Sequence, residues 1–258
     1  PILHVSGETG DGVEDLRAAL VEAVETVGER PVRGAFRLPV QRVFSKAGFG
    51  TVLTGIPVSG QVADGDRLEV LPGGARSKVR GIQAYGLSID RARAGHSTAL
   101  NLADVEVGGT TRGCVACTPG AFRAETRWDV LLSHLNGAPV LKNRARVRVH
   151  TGTTEILGTV QLLETRDLRD GQSGFARLSL REPLVAAPGD PFVLRRESPV
   201  VTWGGGLVLG VVAGRMPTAQ IVEALGRREE ALAHSKEGDA GPLAIDGLRS
   251  LGDGLHSV

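Results

Sequence analysis

The sequence predicts a mainly β protein: two consecutive small β-barrels, preceded by the last βα unit of an α/β domain and followed by a partial helical segment. Three observations predict this. Apolar residues recur at helical spacing up to Val27, and from Phe36 the period switches to two. Short apolar runs then follow one another with turns between them and no helical pattern until the last fifth of the chain. Finally, 36 glycines and 13 prolines in 258 residues suit short strands joined by tight turns.

Each element follows from its own residues. Pro1 to Val5 reads as a short buried strand, and Ser6 to Gly12 as a Gly-rich loop. Val13, Leu16, Leu20, Val24 and Val27 share one helical face, with Glu14 and Asp15 in the first turn and Gly28 and Pro31 as stops. A lone strand-loop-helix cannot bury both its faces, so it is expected to complete a larger α/β domain. Strands are then expected near 36–44, 49–55, 67–71, 78–84, 98–103 and 112–117, separated by turn signals such as Asp64-Gly65-Asp66 and Pro72-Gly73-Gly74. A second set is expected near 127–133, 144–150, 156–163, 174–181 and 191–197, closing with Leu207–Val212. An internal echo pairs the two sets: Val62-Ala63-Asp64-Gly65-Asp66 against Ala186-Ala187-Pro188-Gly189-Asp190, each launching a strand. Such series of short strands suggest closed barrels. A charged helix is expected over Thr218–His234, and then a Gly-rich tail, mobile or truncated, without a core pattern. The resulting division is 1–30, 34–120, 121–212 and 213–258.

Composition excludes little but narrows the setting. The formal charge of +1 gives no global field for nucleic acid. No secretory leader pattern and no run of about 18 apolar residues is present, so a cytoplasmic, non-membrane protein is expected. With Pro1 first and Met216 the only methionine, the chain reads as a piece of a longer protein. Cys114 and Cys117 form a C-x-x-C pair. A zinc site would need a second pair, and a redox motif a helix N-terminus. The other reading is two small hydrophobes on a strand.

The run Leu38-Pro39-Val40-Gln41-Arg42-Val43-Phe44-Ser45-Lys46-Ala47-Gly48-Phe49-Gly50-Thr51-Val52-Leu53-Thr54-Gly55 resembles the start of the second domain of EF-Tu-like translational GTPases. The likeness continues in order through Gly65-Asp66, Val79-Arg80-Gly81-Ile82-Gln83, Ala94-Gly95, Arg112-Gly113 and Pro119-Gly120. Within that family, His150-Thr151-Gly152-Thr153-Thr154-Glu155 and Ser198-Pro199…Thr202-Trp203-Gly204-Gly205-Gly206 resemble the selenocysteine-specific elongation factors, SelB. EF-Tu-like factors carry two acidic residues where Gln41-Arg42 stands; SelB typically has an acidic residue followed by arginine.

The resemblance implies the functional residues. Ser6, Gly7 and Glu8 match the last guanine-recognition box, whose backbone amides lie near the base, although Gly7 is more often alanine in the family. Gln41, Arg42 and Phe44 fall on the pocket for the aminoacyl end of tRNA. A selenol is largely ionised at neutral pH whereas a serine hydroxyl is neutral, so a guanidinium favours the former. One charge-assisted bond is worth about 1.5–3 kcal/mol. Gln41 departs from the family's acidic residue, which leaves the orientation of Arg42 open. Lys142, Arg144, Arg146, Arg148 and His150 alternate with Asn143, Ala145, Val147 and Val149 and are expected on one strand face, either facing the tRNA backbone or simply solvated. No G-x-x-x-x-G-K-[ST], Asp-x-x-Gly or Asn-Lys-x-Asp box occurs, so GTP and Mg2+ are expected for the longer protein and neither binding nor hydrolysis for this chain. Implied partners are selenocysteyl-tRNA, the ribosome and, through further domains, an mRNA hairpin, with the protein a monomer. Another EF-Tu-like factor or a non-enzymatic β-barrel adaptor are the alternatives.

Overall fold

The computed structural model describes residues 2–26, 32–46, 50–103, 105, 109–212, 214 and 216–238. Two compact units emerge, Pro1–Pro31 and Val32–Val258.

The first unit holds α1 (Val13–Thr26), which buries none of its residues. Leu20 is 57% and Val24 73% exposed. The strand expected over residues 1–5 is absent among the described residues: 2–5 have no ladder partner, and Ile2 is 90% exposed. A strand needs a neighbour for its N–H and C=O groups, and these residues find none. The expected stops Gly28 and Pro31 lie outside the described residues.

The second unit is two closed barrels and a helix. The first barrel contains β1 (Arg37–Lys46), β2 (Gly50–Gly55), β3 (Gln61–Ala63), β4 (Arg67–Leu71), β5 (Ala75–Ala84), β6 (Leu87–Ile89), β7 (Arg91–Arg93), β8 (Thr98–Leu102) and β9 (Val115–Cys117). Its ladder runs β4-β9-β1-β2-β8-β5 and closes by β4–β5 pairing, with β6 appended to β5 and β3 paired with β7. Inward residues such as Leu38, Val40, Leu53, Leu68, Leu100 and Leu102 form its core. Each such aliphatic chain contributes about 1.5–3 kcal/mol by leaving water.

The second barrel contains β10 (Ala124–His134), β11 (Leu141–Lys142), β12 (Arg146–Thr151), β13 (Thr154–Leu162), β14 (Asp167–Leu168), β15 (Ser173–Val185), β16 (Pro191–Arg196) and β17 (Thr202–Gly210). It closes as β10-β15-β13-β12-β16-β17. Three consecutive glycines of β17 explain how it fits between β10 and β16. A Cβ on Gly204, Gly205 or Gly206 would collide with the carbonyl oxygens of Ser133, Phe192 and Leu131 respectively. The chain then enters α2 (Thr218–Gly238). This helix does build a core: Ile221, Ala224, Leu225 and Leu232 pack in one cluster with Leu131, Leu163, Phe175 and Leu209 of the barrel. The exit is tied by Asp129, 1% exposed, which accepts from Arg177 Nε (2.6 Å), Arg177 Nη2 (3.0 Å) and the Val212 amide (2.8 Å). The Gly-rich tail after Gly238 lies outside the described residues.

The sequence echo is a structural repeat. Asp66 accepts the Ala63 amide at 2.8 Å, and Asp190 accepts the Ala187 amide at 2.8 Å. The glycines between them adopt φ +87° and +89°, so each position favours glycine. Asp190 does one thing more: both its oxygens receive Arg37 of the first barrel, Nη1 and Nη2 each at 2.5 Å.

Candidate functional site

The pocket residues expected at Gln41, Arg42 and Phe44 all lie on β1, and the backbone there has a feature that strict alternation misses. Val40 pairs with Gly55 and Arg42 with Thr54, so two steps on β1 match one on β2. Gln41 is the extra residue of a β-bulge. Bulges re-aim side chains, and here the change of face is complete. Leu38 and Val40 point into the barrel; Val43, not Arg42, is the next residue to pack against that core. Gln41, Arg42 and Phe44 are therefore exposed together, Phe44 at 45%. Without the bulge Arg42 would sit on the inward face. Arg42 has no ion-pair partner among the described residues. An exposed guanidinium beside an aromatic ring can bind an anion on a small apolar group. Residues 47–49, between β1 and β2, lie outside the described residues.

The Ser6–Gly12 loop is held by its own groups. The Ser6 amide donates to Asp11 O (2.9 Å), Gly10 to Ser6 O (3.0 Å), and the Thr9 hydroxyl to Asp11 Oδ2 (2.7 Å). The Ser6 hydroxyl accepts the Thr9 amide at 3.2 Å, leaving Gly7 and Glu8 exposed at the tip. Such a turn can present backbone amides to a flat polar edge, but it is no cradle for phosphates.

The basic stripe is corrected by the structure. Lys142 ends β11, Asn143 and Arg144 make a turn, and only Arg146, Arg148 and His150 share β12. Arg144 takes φ +64°, a left-handed conformation that ends any strand alternation, and Asn143 Oδ1 accepts the Leu162 amide at 2.9 Å. Arg148 is engaged by Glu155, whose other oxygen lies 3.7 Å from His150 Nδ1. Lys142, Arg146 and Arg148 still converge, because they line an open cleft of about 980 Å3. Arg196, which sequence reasoning missed, joins them from the end of β16 together with Ser198. The buried indole of Trp203 lines the same cleft, and its Nε1 has no hydrogen-bond partner among the described residues. Arg146 and Arg196 enter no ion pair among the described residues, and Lys142, though within no ion pair either, faces Asp167 across the β11–β14 ladder and, after Arg169, helps hold that carboxyl low. The arrangement suits a chain of phosphates.

Cys114 and Cys117 do not converge on a site. Cys114 belongs to the core of the first barrel, and Cys117 to a separate cluster with Leu71, Phe122 and Ala187. Burial, and then the Glu69 carboxylate, push the Cys117 thiol up to about 12. Among the described residues no group of His, Cys, Asp or Glu could hold a metal ion, and no helix is long and apolar enough to cross a membrane.

Known proteins share sequence and fold with this chain. Residues 127–215 match the family model for the selenocysteine-specific elongation factor, beta-barrel domain. The selenocysteine-specific elongation factor of Desulfomicrobium baculatum is 35% identical over 261 residues, covering 98% of this chain and 41% of that protein. Elongation factor Tu 2 of Streptomyces avermitilis is 32% identical, covering 82% of this chain and 57% of that protein. The crystal structure of a bacterial selenocysteine-specific elongation factor, EF-Sec, superposes with a TM-score of 0.74 at 26% identity, over 89% of this chain and 38% of that one. Apo SelB of Methanococcus maripaludis shares the fold, with a TM-score of 0.67 at 23% identity over 79% of this chain and 49% of that one. The chain thus spans less than two thirds of the length of these relatives. With the matched barrel, the identity along nearly its whole length and the EF-Sec superposition, the chain is a SelB-like segment.

Proposed function

We propose that this chain is the central part of a factor that delivers selenocysteyl-tRNA to the ribosome at recoded UGA codons in a GTP-dependent manner. The observation that carries the reading is the bulge at Gln41, which sets Arg42 outward beside Phe44 on a SelB-like barrel. The 1–30 segment serves as the C-terminal end of a GTPase domain: α1 leaves Leu20 and Val24 bare, as a helix does when the sheet it covers is formed by other residues. Residues 34–120 and 121–212 act as the second and third domains, and 213–258 lead toward a C-terminal mRNA-binding region. The factor works as a monomer in the cytoplasm.

GTP and Mg2+ belong to the longer protein. Ser6, Gly7 and Glu8 fit a guanine edge, whereas the described residues offer neither a phosphate loop nor a carboxylate cluster for the ion. In this reading Lys142, Arg144, Arg146 and Arg148, with Arg196, contact the tRNA backbone, and Gln41, Arg42 and Phe44 surround the selenol. Because Gln41 replaces an acidic residue, Arg42 is oriented by the bulge instead of by a carboxylate. Arg42→Ala in the full-length protein is expected to lower affinity for selenocysteyl-tRNA about ten- to a hundredfold, the worth of one charge-assisted bond. Seryl-tRNA should be spared, and an equal loss for both would remove the reading.

A further inference from the structure

We infer that α2 positions strand β1, and with it the Arg42 edge, through the Gly189–Asp190 turn. The functional consequence rests on the aminoacyl-pocket reading above; the mechanical link does not.

Three contacts form the link. The first is between α2 and the turn. Leu232, 3% exposed, packs beside Gly189: its Cδ2 lies 3.4 Å from where a Cβ on that glycine would stand, an ordinary van der Waals distance. Arg228 reinforces it from the previous helical turn, donating to Leu209 O (3.2 Å) and Val211 O (3.4 Å). Its Nη1 and the Pro188 ring both lie within 4 Å of the Cβ position at Gly210. The second contact is the turn's own stiffness. Gly189 N donates to Val208 O at 2.8 Å, Val208 N to Asp190 O at 2.9 Å, and Asp190 N to Ala187 O at 3.0 Å. The third is the bidentate pair between Asp190 and Arg37, whose side chains are only 17% and 5% exposed. Arg37 also lies over the Phe122 ring, 5.2 Å from its centroid.

The first barrel has the same turn and lacks both flanking contacts. Asp66 closes its turn as Asp190 does, yet it enters no ion pair among the described residues, and the Cβ position of Gly65 meets only the end of Lys78. The helix contact and the Arg37 pair are thus additions to a turn that closes without them. Arg37 opens β1, and Arg42 follows on the same strand after the bulge. A shift of α2 is therefore felt at the strand that carries Gln41, Arg42 and Phe44. Arg37 and Asp190 are positioning residues in this scheme; neither touches the ligand.

The test is amide hydrogen exchange on the chain as it stands, read at Arg37 and Val40, whose amides donate to Ser59 O and Cys114 O. Leu232→Ala should speed exchange at both roughly five- to tenfold, the low end of measured couplings between sites. In an Asp190→Asn background the same substitution should add nothing. Val160→Ala weakens the second barrel from inside its core and should leave the two amides unchanged. The inference is overturned if Leu232→Ala does not alter them, if Val160→Ala speeds them equally, or if the Leu232 effect persists undiminished with Asp190→Asn. No RNA enters the measurement, so failure here leaves the selenol reading intact. Equal losses for both tRNAs with Arg42→Ala would conversely leave the relay standing.

Discussion

Neutralising the cleft of the second barrel should change how tRNA binding depends on salt, and the size of the change can be worked from its residues. Three cations there, Lys142, Arg146 and Arg196, enter no ion pair among the described residues, although Lys142 faces Asp167 across its ladder, whereas Arg148 is held by Glu155. If each neutralises one phosphate, the slope of log K against log salt is about −0.7 to −0.9 per contact, or about −2 to −3 in total. Between 50 and 200 mM salt this costs about 15- to 60-fold in affinity. Replacing Arg146 and Arg196 together by glutamine removes two of the three contacts and should flatten the slope to about −1. Glu197 lines the same cleft and lowers the local field, but it does not enter the count of released counterions. The assay is a titration of unacylated tRNA against the chain at several salt concentrations, wild type beside the double variant. A flat wild-type slope, or a slope that the double substitution leaves unchanged, refutes contact at this cleft.

Two stability predictions follow from the barrels themselves. Gly206→Ala should destabilise by about 1–3 kcal/mol or more, because its Cβ would enter the Leu131 carbonyl, while Gly81→Ala, with open space around its Cβ position, should be neutral or gain up to about 1 kcal/mol. Urea midpoints of the two variants decide this, and similar midpoints would contradict the packing argument. Cys117 gives the second: its folded thiol is raised to about 12, so between the ordinary thiol range and that value the folded state holds a proton the unfolded chain has lost. Its contribution is full below pH about 8.5 and declines above it by about 1.4 kcal/mol per pH unit. Cys117→Ala should lack that part of the alkaline loss, and identical alkaline profiles for the two proteins would show that the thiol does not titrate late.

The fold class was legible because the barrels depend on local signals: period-two apolar runs and Gly-Asp turns. The strands that escaped notice, β3, β6, β7, β11 and β14, have two or three residues each, too few to show a period. The 1–5 segment misled because apolar residues can be read as a strand without asking what pairs with them. At the site, the bulge had a signal in the sequence: inward residues step from Val40 to Val43 by three instead of two. The break in the basic stripe also had one, since Asn143 is a turn residue set among arginines. Arg196 beside Arg146 and Arg148 had none, because that neighbourhood is made by the β12–β16 ladder. The Arg37–Asp190 pair spans 153 positions, and no local pattern predicts it.

The repeated turn shows how one carboxylate can serve two scales of structure. A carboxylate offers about four lone-pair sites, and closing the turn takes one of them. In the first barrel the rest of Asp66 makes no ion pair among the described residues; in the second, Asp190 offers what remains to the planar fork of Arg37. That fork is directional, so it fixes an angle as well as a distance. It acts at the start of β1, and Arg42 lies five residues further on, about 16 Å of strand. Over that length an angular error at Arg37 is magnified at the guanidinium of Arg42. A bidentate, largely dehydrated pair at the root of the strand controls such an error better than a single contact would. The bulge then chooses which face of β1 the guanidinium occupies. Two separate devices thus set the one side chain proposed to tell a selenolate from a hydroxyl: an ion pair that aims the strand, and an extra residue that turns it over.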